Sequence, residues 1–233
     1  MTYDWLATLC FLTPLILIVV VGRKLAFSIP DLKRMQQHNR AEDKKRKAKE
    51  KYPPLIKTNN KIGLVTNLIF FIAILPFFIT LQNQSPLKVL ANVVMILMVY
   101  DFFYYLMHRF LFHGKGFFRR IHAVHHQARS PITHIDAYYV HPVETFMGIA
   151  LFMSTIVGLG FYFGAFHAVT ITLAFLVFTQ LNTINHTYIN LPHFPFKILS
   201  WITAKHAVHH EGMQKGNYAT ITLLFDKMFG TLD

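Results

Sequence analysis

The chain has 233 residues, of which 53% are hydrophobic and only 15% charged, with a mean hydropathy of +0.36 and a formal net charge of +12 from 23 Lys and Arg against 11 Asp and Glu. Apolar content this high with so few charges excludes an ordinary soluble domain and points to a bilayer protein, in which an excess of Lys and Arg records topology rather than nucleic-acid binding. Its single cysteine, Cys10, excludes an internal disulfide, a thiolate metal site and a CxxC redox pair, so metal chemistry falls to carboxylates and to the fourteen histidines.

In chain order, five apolar runs are predicted to be helices that cross a hydrocarbon core, which takes about 20 helical residues. The first, 6–22, contains Pro14 and follows Asp4 rather than a basic start, so it reads as an anchor and not as a cleaved signal. Next comes a basic linker, 23–61, with 13 of the 23 basic residues and four acidic ones, Asp31, Glu42, Asp43 and Glu50. It is expected to be a solvated, partly helical segment on the cytoplasmic side, by the positive-inside rule. Runs 62–81 and 89–107, joined by the polar turn 82–86, predict one helical hairpin, and 146–166 with 168–181 a second. Parity then puts 108–143 and 183–233 on the cytoplasmic face with the linker. Twelve of the fourteen histidines fall in those two stretches, and eleven of them, all but His193, stand in motif-like settings.

The spacings within them are ordered: His108 and His113, then His122, His125 and His126, then Asn185 and His186, then His206, His209 and His210. HxxHH occurs twice, and on a helix each copy presents three imidazoles to one side. Imidazole suits Fe, Zn, Cu and Ni, and two triplets exceed what one ion accepts, so a two-metal site is expected. His108 and His113 stand about 140° apart on a regular α-helix, so they are expected to straddle a helix end or to serve different metals. Isolated His38, His167 and His193 read as structural. Asp101, seven residues before His108 at membrane depth, is either a group that orients the site or a partner for Arg109. Glu144 and Asp226 are expected to orient imidazoles or to cap and pair.

These blocks resemble the fatty acid hydroxylase and sterol desaturase superfamily of integral-membrane di-iron oxygenases. Asp101 through Tyr104, Tyr105, His108 and Arg109 is similar to its first box, His122 to His126 to its second and His206 to His210 to its last, with Asn185 and His186 between them. Ser130-Pro131 and the stretch from Tyr139 through His141, Pro142 and Glu144 resemble C4-methylsterol oxidases; Gly216-Asn217-Tyr218 and the stretch from Phe225 and Asp226 to Thr231 resemble the closing signature, where a Trp more often precedes the Asp. The first box departs by having four residues between its histidines where many members have three, and the third region supplies only His186.

The resemblance implies an all-α membrane protein: transmembrane helical hairpins carrying a cytoplasmic, histidine-rich helical cap, with a catalytic domain over 62–233. Carried over by motif, the metal ligands are His108, His113, His122, His125, His126, His186, His206, His209 and His210, with a tenth left open between His141 and His134. Asp101, Tyr105, Glu144 and Asn185 are carried as further site residues. The implied cofactors are two Fe ions with O2 as co-substrate, and the implied reaction is hydroxylation or desaturation of a lipid or sterol-like substrate at an unactivated C–H bond. A separate electron donor, of cytochrome b5 or ferredoxin type with its reductase, is expected, and no nucleic acid. The competing readings are a zinc-dependent membrane lipid hydrolase, which needs only three protein ligands, and a non-catalytic metal transporter or haem-bearing electron carrier.

Overall fold

In the computed structural model, which describes residues 2–233, five helices are long and apolar enough to cross a membrane. They are α1 (Trp5–Ala26), α3 (Tyr52–Ile69, prolonged by a π-turn, Phe70–Ile74, and a 3-10 turn, Leu75–Phe77), α4 (Pro86–Leu106, prolonged by a π-turn, Met107–Phe112), α6 (Pro142–Phe163) and α7 (Ala168–Asn185). Between and after them lie α2 (Pro30–Lys47), α5 (Phe117–His125), a 3-10 turn (His134–Tyr138), α8 (Phe196–His209) and α9 (Leu224–Met228). Local chemistry sets the starts. Asp4 caps α1 by accepting from Ala7 N at 2.8 Å, Ser85 caps α4 by accepting from Lys88 N at 3.3 Å, and prolines occupy the first turns of α2, α3, α4 and α6, where a missing N–H costs nothing.

The bundle has two distinct ends. At one, Asp4 N donates to Pro76 O and the short parallel strands β1 (Ile79–Thr80) and β2 (Phe166–His167) join the two hairpin turns. At the other end gather the carboxyl-terminal ends of α4 and α7, the beginnings of α3 and α6, and α2, α5 and α8. Contacts between Asn39 and the Tyr188 backbone, and between Asn59 Nδ2 and the carbonyls of Tyr138 and Val140, join elements there that are distant in sequence. The core is aromatic: Phe152 stacks on Phe178 with centroids 4.2 Å apart, and Tyr100, Phe175, Phe11 and Phe71 pack edge-on or tilted around that pair. Outward-facing side chains such as Ile16, Leu17, Leu64, Ile72, Leu90 and Phe161 are exposed and apolar, as a lipid-facing surface requires.

Two expectations change. The helix expected from residue 62 begins at Tyr52, with prolines in its first turn and with Lys57 and Lys61 exposed, where long basic side chains can reach an interface. The basic segment is solvated only on its outer face, where Lys44, Lys45 and Lys47 are exposed. Its inner face is fixed to the histidine end. Asn39 and Asp43 are buried, and Arg46 donates to the carbonyls of Arg129 (2.6 Å) and Pro131 (2.7 Å) while lying 3.6 Å from the buried Asp136 carboxylate. Asp136 also accepts from Tyr52 OH at 2.8 Å.

Candidate metal centre

The first box depends on a change of helical pitch. Where α4 widens into its π-turn, His113 N donates to His108 O at 2.9 Å, a bond spanning five residues instead of four. Widening the turn brings residues five apart onto one face, so His108 and His113 do straddle a helix end, yet they serve the same group of imidazoles with ring centroids 5.0 Å apart.

Nine buried or half-buried histidines form two groups, the ligand nitrogens within each lying no more than 4.8 Å apart: His108, His113, His122, His126 and His209 in one, and His125, His186, His206 and His210 in the other. These are the nine that the motifs nominated. Their partition is not the one expected from helical faces. Each HxxHH gives its first and last histidines to one group and its middle histidine to the other. His122 and His126 of α5 join His209 of α8, while His206 and His210 of α8 join His125 of α5.

Hydrogen bonds fix the ring orientations. Nδ1 of His108 meets Tyr218 O (2.7 Å), His113 Met213 O (2.9 Å), His125 Tyr139 O (3.2 Å), His186 Asn182 O (2.9 Å), His209 Gly216 O (2.7 Å) and His210 Ala128 O (2.9 Å), while His122 Nδ1 meets Glu144 Oε1 (2.8 Å). A carbonyl or ionised carboxylate oxygen can only accept, so on these seven rings Nδ1 carries the proton and Nε2 presents a bare lone pair, whereas His126 Nδ1 is buried without a partner among the described residues. Those Nε2 atoms converge: His108 to His122 at 3.0 Å, His126 to His122 at 3.0 Å and to His209 at 3.1 Å, His125 to His186 at 3.0 Å, and His206 to His186 at 3.0 Å and to His210 at 3.2 Å. Between His108 and His122, and between His125 and His186, two bare lone pairs face each other at that distance and repel. Two nitrogens bound at right angles to one cation, each at about 2.1 Å, stand about 3 Å apart. The donor set therefore fits a metal ion in each group.

Burial keeps these rings neutral. It pushes His113 down to about 4, His186 to about 4 and His209 to about 3, and, with neighbouring imidazoles adding repulsion, holds His122, His125, His126, His206 and His210 well below the ordinary histidine value. Protons then do not compete with a metal at neutral pH.

Of the other nominated residues, Glu144 sits beside an imidazole; Asp101, Tyr105, Asn185 and Asp226 do not. Asp101 accepts from the backbone of Thr220, Ile221 and Thr222; Asp226 from that of Tyr218 and Ala219; Asn185 donates to Thr220 O; and Tyr105 OH receives Arg109 Nη1 and lies 3.2 Å from Thr231 Oγ1. All four address the carboxyl-terminal segment. Neither His134 nor His141 belongs to either group: His134 Nδ1 lies 2.9 Å from Asp43 Oδ2, and His141 caps α6 by accepting from Val143 N. His167 caps α7 in the same way, and His38 leans on Tyr188. The carbonyls that orient the rings were missed; backbone oxygens leave no signal in residue type, although Gly216 to Tyr218 lies within the closing signature.

A cleft of about 360 Å³ lined by Ala123, His126, Gln127, Arg129, Glu211 and Met213 opens beside the five-histidine group. Tyr104 packs edge-on against His108, with centroids 5.3 Å apart, and tilted against Tyr100, continuing the aromatic core to the imidazoles.

Comparison with known proteins agrees with this geometry. Methylsterol monooxygenase 1 of Rattus norvegicus is 33% identical over 136 residues, 56% of this chain and 43% of the relative. A putative methylsterol monooxygenase of Dictyostelium discoideum is 33% identical over 159 residues (66% and 57%), and a very-long-chain aldehyde decarbonylase of Oryza sativa subsp. indica 30% over 164 (66% and 58%). The chain thus spans about half the length of the curated relatives it matches. No solved structure matches it significantly. The fatty acid hydroxylase family model matches residues 93–231, which hold all nine histidines of the two groups and more than half of the chain, and the chain belongs to that family.

Proposed function

We propose that the chain is a membrane-bound, O2-dependent di-iron oxygenase that hydroxylates, or desaturates, a lipid or sterol-like substrate at an unactivated C–H bond. The observation that carries this reading is the pair of imidazole groups, five and four, with facing Nε2 atoms 3.0–3.2 Å apart. Each set stays below the six donors of an octahedral ion, which leaves room for O2, and nine imidazoles exceed the three ligands that suffice for a hydrolytic zinc. Two irons, when bound, would supply the oxidation, with two electrons and two protons taken up from outside: in hydroxylation one atom of O2 goes into the substrate alcohol and the other into water, and in desaturation both go into water as the substrate loses two hydrogens.

The chain's own residues hold and screen that chemistry. Glu144 and the six carbonyls fix the tautomers, and Glu144 adds a negative charge beside a site otherwise built of neutral donors. Tyr100 and Tyr104 keep the membrane-facing approach dry and apolar, a route suited to a methylsterol or a very long acyl chain, the molecules for which the relatives are named. A separate cytochrome b5- or ferredoxin-type donor with its reductase supplies the electrons. The histidine end faces the cytoplasm, supported by the basic α2 packed at that same end.

Purified protein is expected to contain iron and to consume reductant only with O2 and lipid present, and lipids of expressing cells are expected to gain one oxygen or lose two hydrogens. A single bound zinc with no oxygen uptake overturns the proposal.

A further inference from the structure

Residues 216–222 pass the histidine end with no strand beside them, yet Tyr218, Ala219 and Ile221 are buried. Their backbone is satisfied by side chains. Five consecutive N–H groups go to two buried carboxylates: Tyr218 N (2.7 Å) and Ala219 N (2.8 Å) to Asp226, then Thr220 N (2.9 Å), Ile221 N (2.8 Å) and Thr222 N (3.0 Å) to Asp101. Each carboxylate also takes one hydroxyl, Thr231 Oγ1 on Asp226 and Thr222 Oγ1 on Asp101, both at 2.8 Å. Asp101 thus accepts four donors, which fills the lone-pair capacity of an ionised carboxylate; an amide, bringing donors of its own, could not do this. The carbonyls of the same segment alternate towards the site. Gly216 O takes His209 Nδ1–H, Tyr218 O takes His108 Nδ1–H and Thr220 O takes Asn185 Nδ2–H. Asn217, at φ +64°, makes the turn into the segment in the left-handed region that Asn tolerates, and donates to Lys205 O in α8.

Both imidazoles served by this segment belong to the five-histidine group. In the four-histidine group, the ring protons of His125, His186 and His210 go to Tyr139, Asn182 and Ala128, which lie outside the segment.

We propose that residues 216–222 form a strap dedicated to one metal site, with Asp101 and Asp226 as its positioning residues: they hold the N–H edge so that the opposite edge orients His108 and His209. Neither carboxylate touches a ligand; both act through the peptide. The proposal rests on the two-metal reading above.

Iron content per chain is the test, measured on detergent-purified, iron-reconstituted protein. Wild type should hold about two, and Asp101→Asn and Asp226→Asn about one each, since loss of a group that orients ligands typically weakens metal binding 10–100-fold. Adding His209→Ala to Asp101→Asn should remove no further iron, whereas adding His210→Ala should leave almost none, because only the second pair acts on different sites. Retention of two irons in both Asn variants, or equal loss from both sites in a variant that keeps its helical signal, overturns the strap. For any variant that fails to fold, Thr222→Val decides: deleting one hydroxyl should weaken a single site about tenfold, and unchanged affinity counts against the proposal. Wild type that never binds a second iron defeats the two-metal reading instead.

Discussion

Glu144→Gln separates what the metal needs from what the fold needs. In the wild type, Glu144 Oε1 accepts from His122 Nδ1 at 2.8 Å, while Oε2 is buried without a partner among the described residues. The substitution keeps an oxygen that can accept from the ring and removes the charge. Without a bound cation, a half-satisfied buried carboxylate costs stability, so the metal-free variant should unfold at the same temperature as wild type or a higher one. With metal, His122 loses the partner that makes its Nε2 a stronger donor. Affinity at the five-histidine site should fall 10–100-fold, equivalent to about 1.4 to 2.7 kcal/mol, with the four-histidine site unaffected. Chelator competition on the purified protein reads the affinities, and thermal unfolding with and without metal reads the stabilities. A loss of metal-free stability matching the loss of affinity would refute the reasoning, since the carboxylate would then be a structural prop. An affinity unchanged within about twofold would refute it too.

His209→Ala and His125→Ala should each abolish turnover and release one metal, from the five- and four-histidine sites respectively; His167→Ala, which removes only a helix cap, should keep turnover and cost about 1 kcal/mol of stability. In the metal-free protein His113 and His186 titrate near 4 when folded and near 6.5 when unfolded, so each contributes stability that is complete above about pH 6.5 and falls by about 3 kcal/mol as pH drops to 4. Denaturant titrations across that range check the slope, and a flat profile counts against it. Gly216→Ala would put a Cβ 1.9 Å from the Thr231 carbonyl oxygen, so the strap must move and release His209, and the five-histidine site should empty while helix content persists. Metal analysis beside circular dichroism decides this, and full metal content is the contrary result.

Hydropathy located the five long helices because a bilayer imposes a length on them, and histidine spacing located all nine candidate ligands because a helix brings i, i+3 and i+4 together. What escaped was whatever depends on two segments meeting. The partition of each HxxHH between the groups follows from how α5 and α8 face one another, and the pairing of His108 with His113 from a π-turn that residue spacing alone does not announce. Asp101 was marked by its cost at membrane depth, but its partners lie about 120 residues further on, in a segment without hydrophobic period. The inner face of α2 was hidden for a similar reason: its charged sequence reads as solvated, and only the fold shows Arg46 spending its donors on two carbonyls.

The exchange of middle histidines has a consequence for how the centre assembles. A rigid shift of α5 disturbs His122 and His126 in one group and His125 in the other, and a shift of α8 does the converse with His206, His210 and His209. Neither group can take its final geometry until both helices are seated. A change confined to one side chain or to one orienting carbonyl, however, reaches a single group, since each imidazole turns about its own bonds and each of the seven oxygen acceptors serves one ring. Single-residue variants at the ligands or at the strap should therefore separate the two metals. Changes at Arg46 or Tyr52 should not: Arg46 holds the Arg129–Pro131 backbone just beyond α5, and Tyr52 stacks on Tyr139, whose carbonyl accepts from His125, so loosening either frees the chain around α5 as a whole.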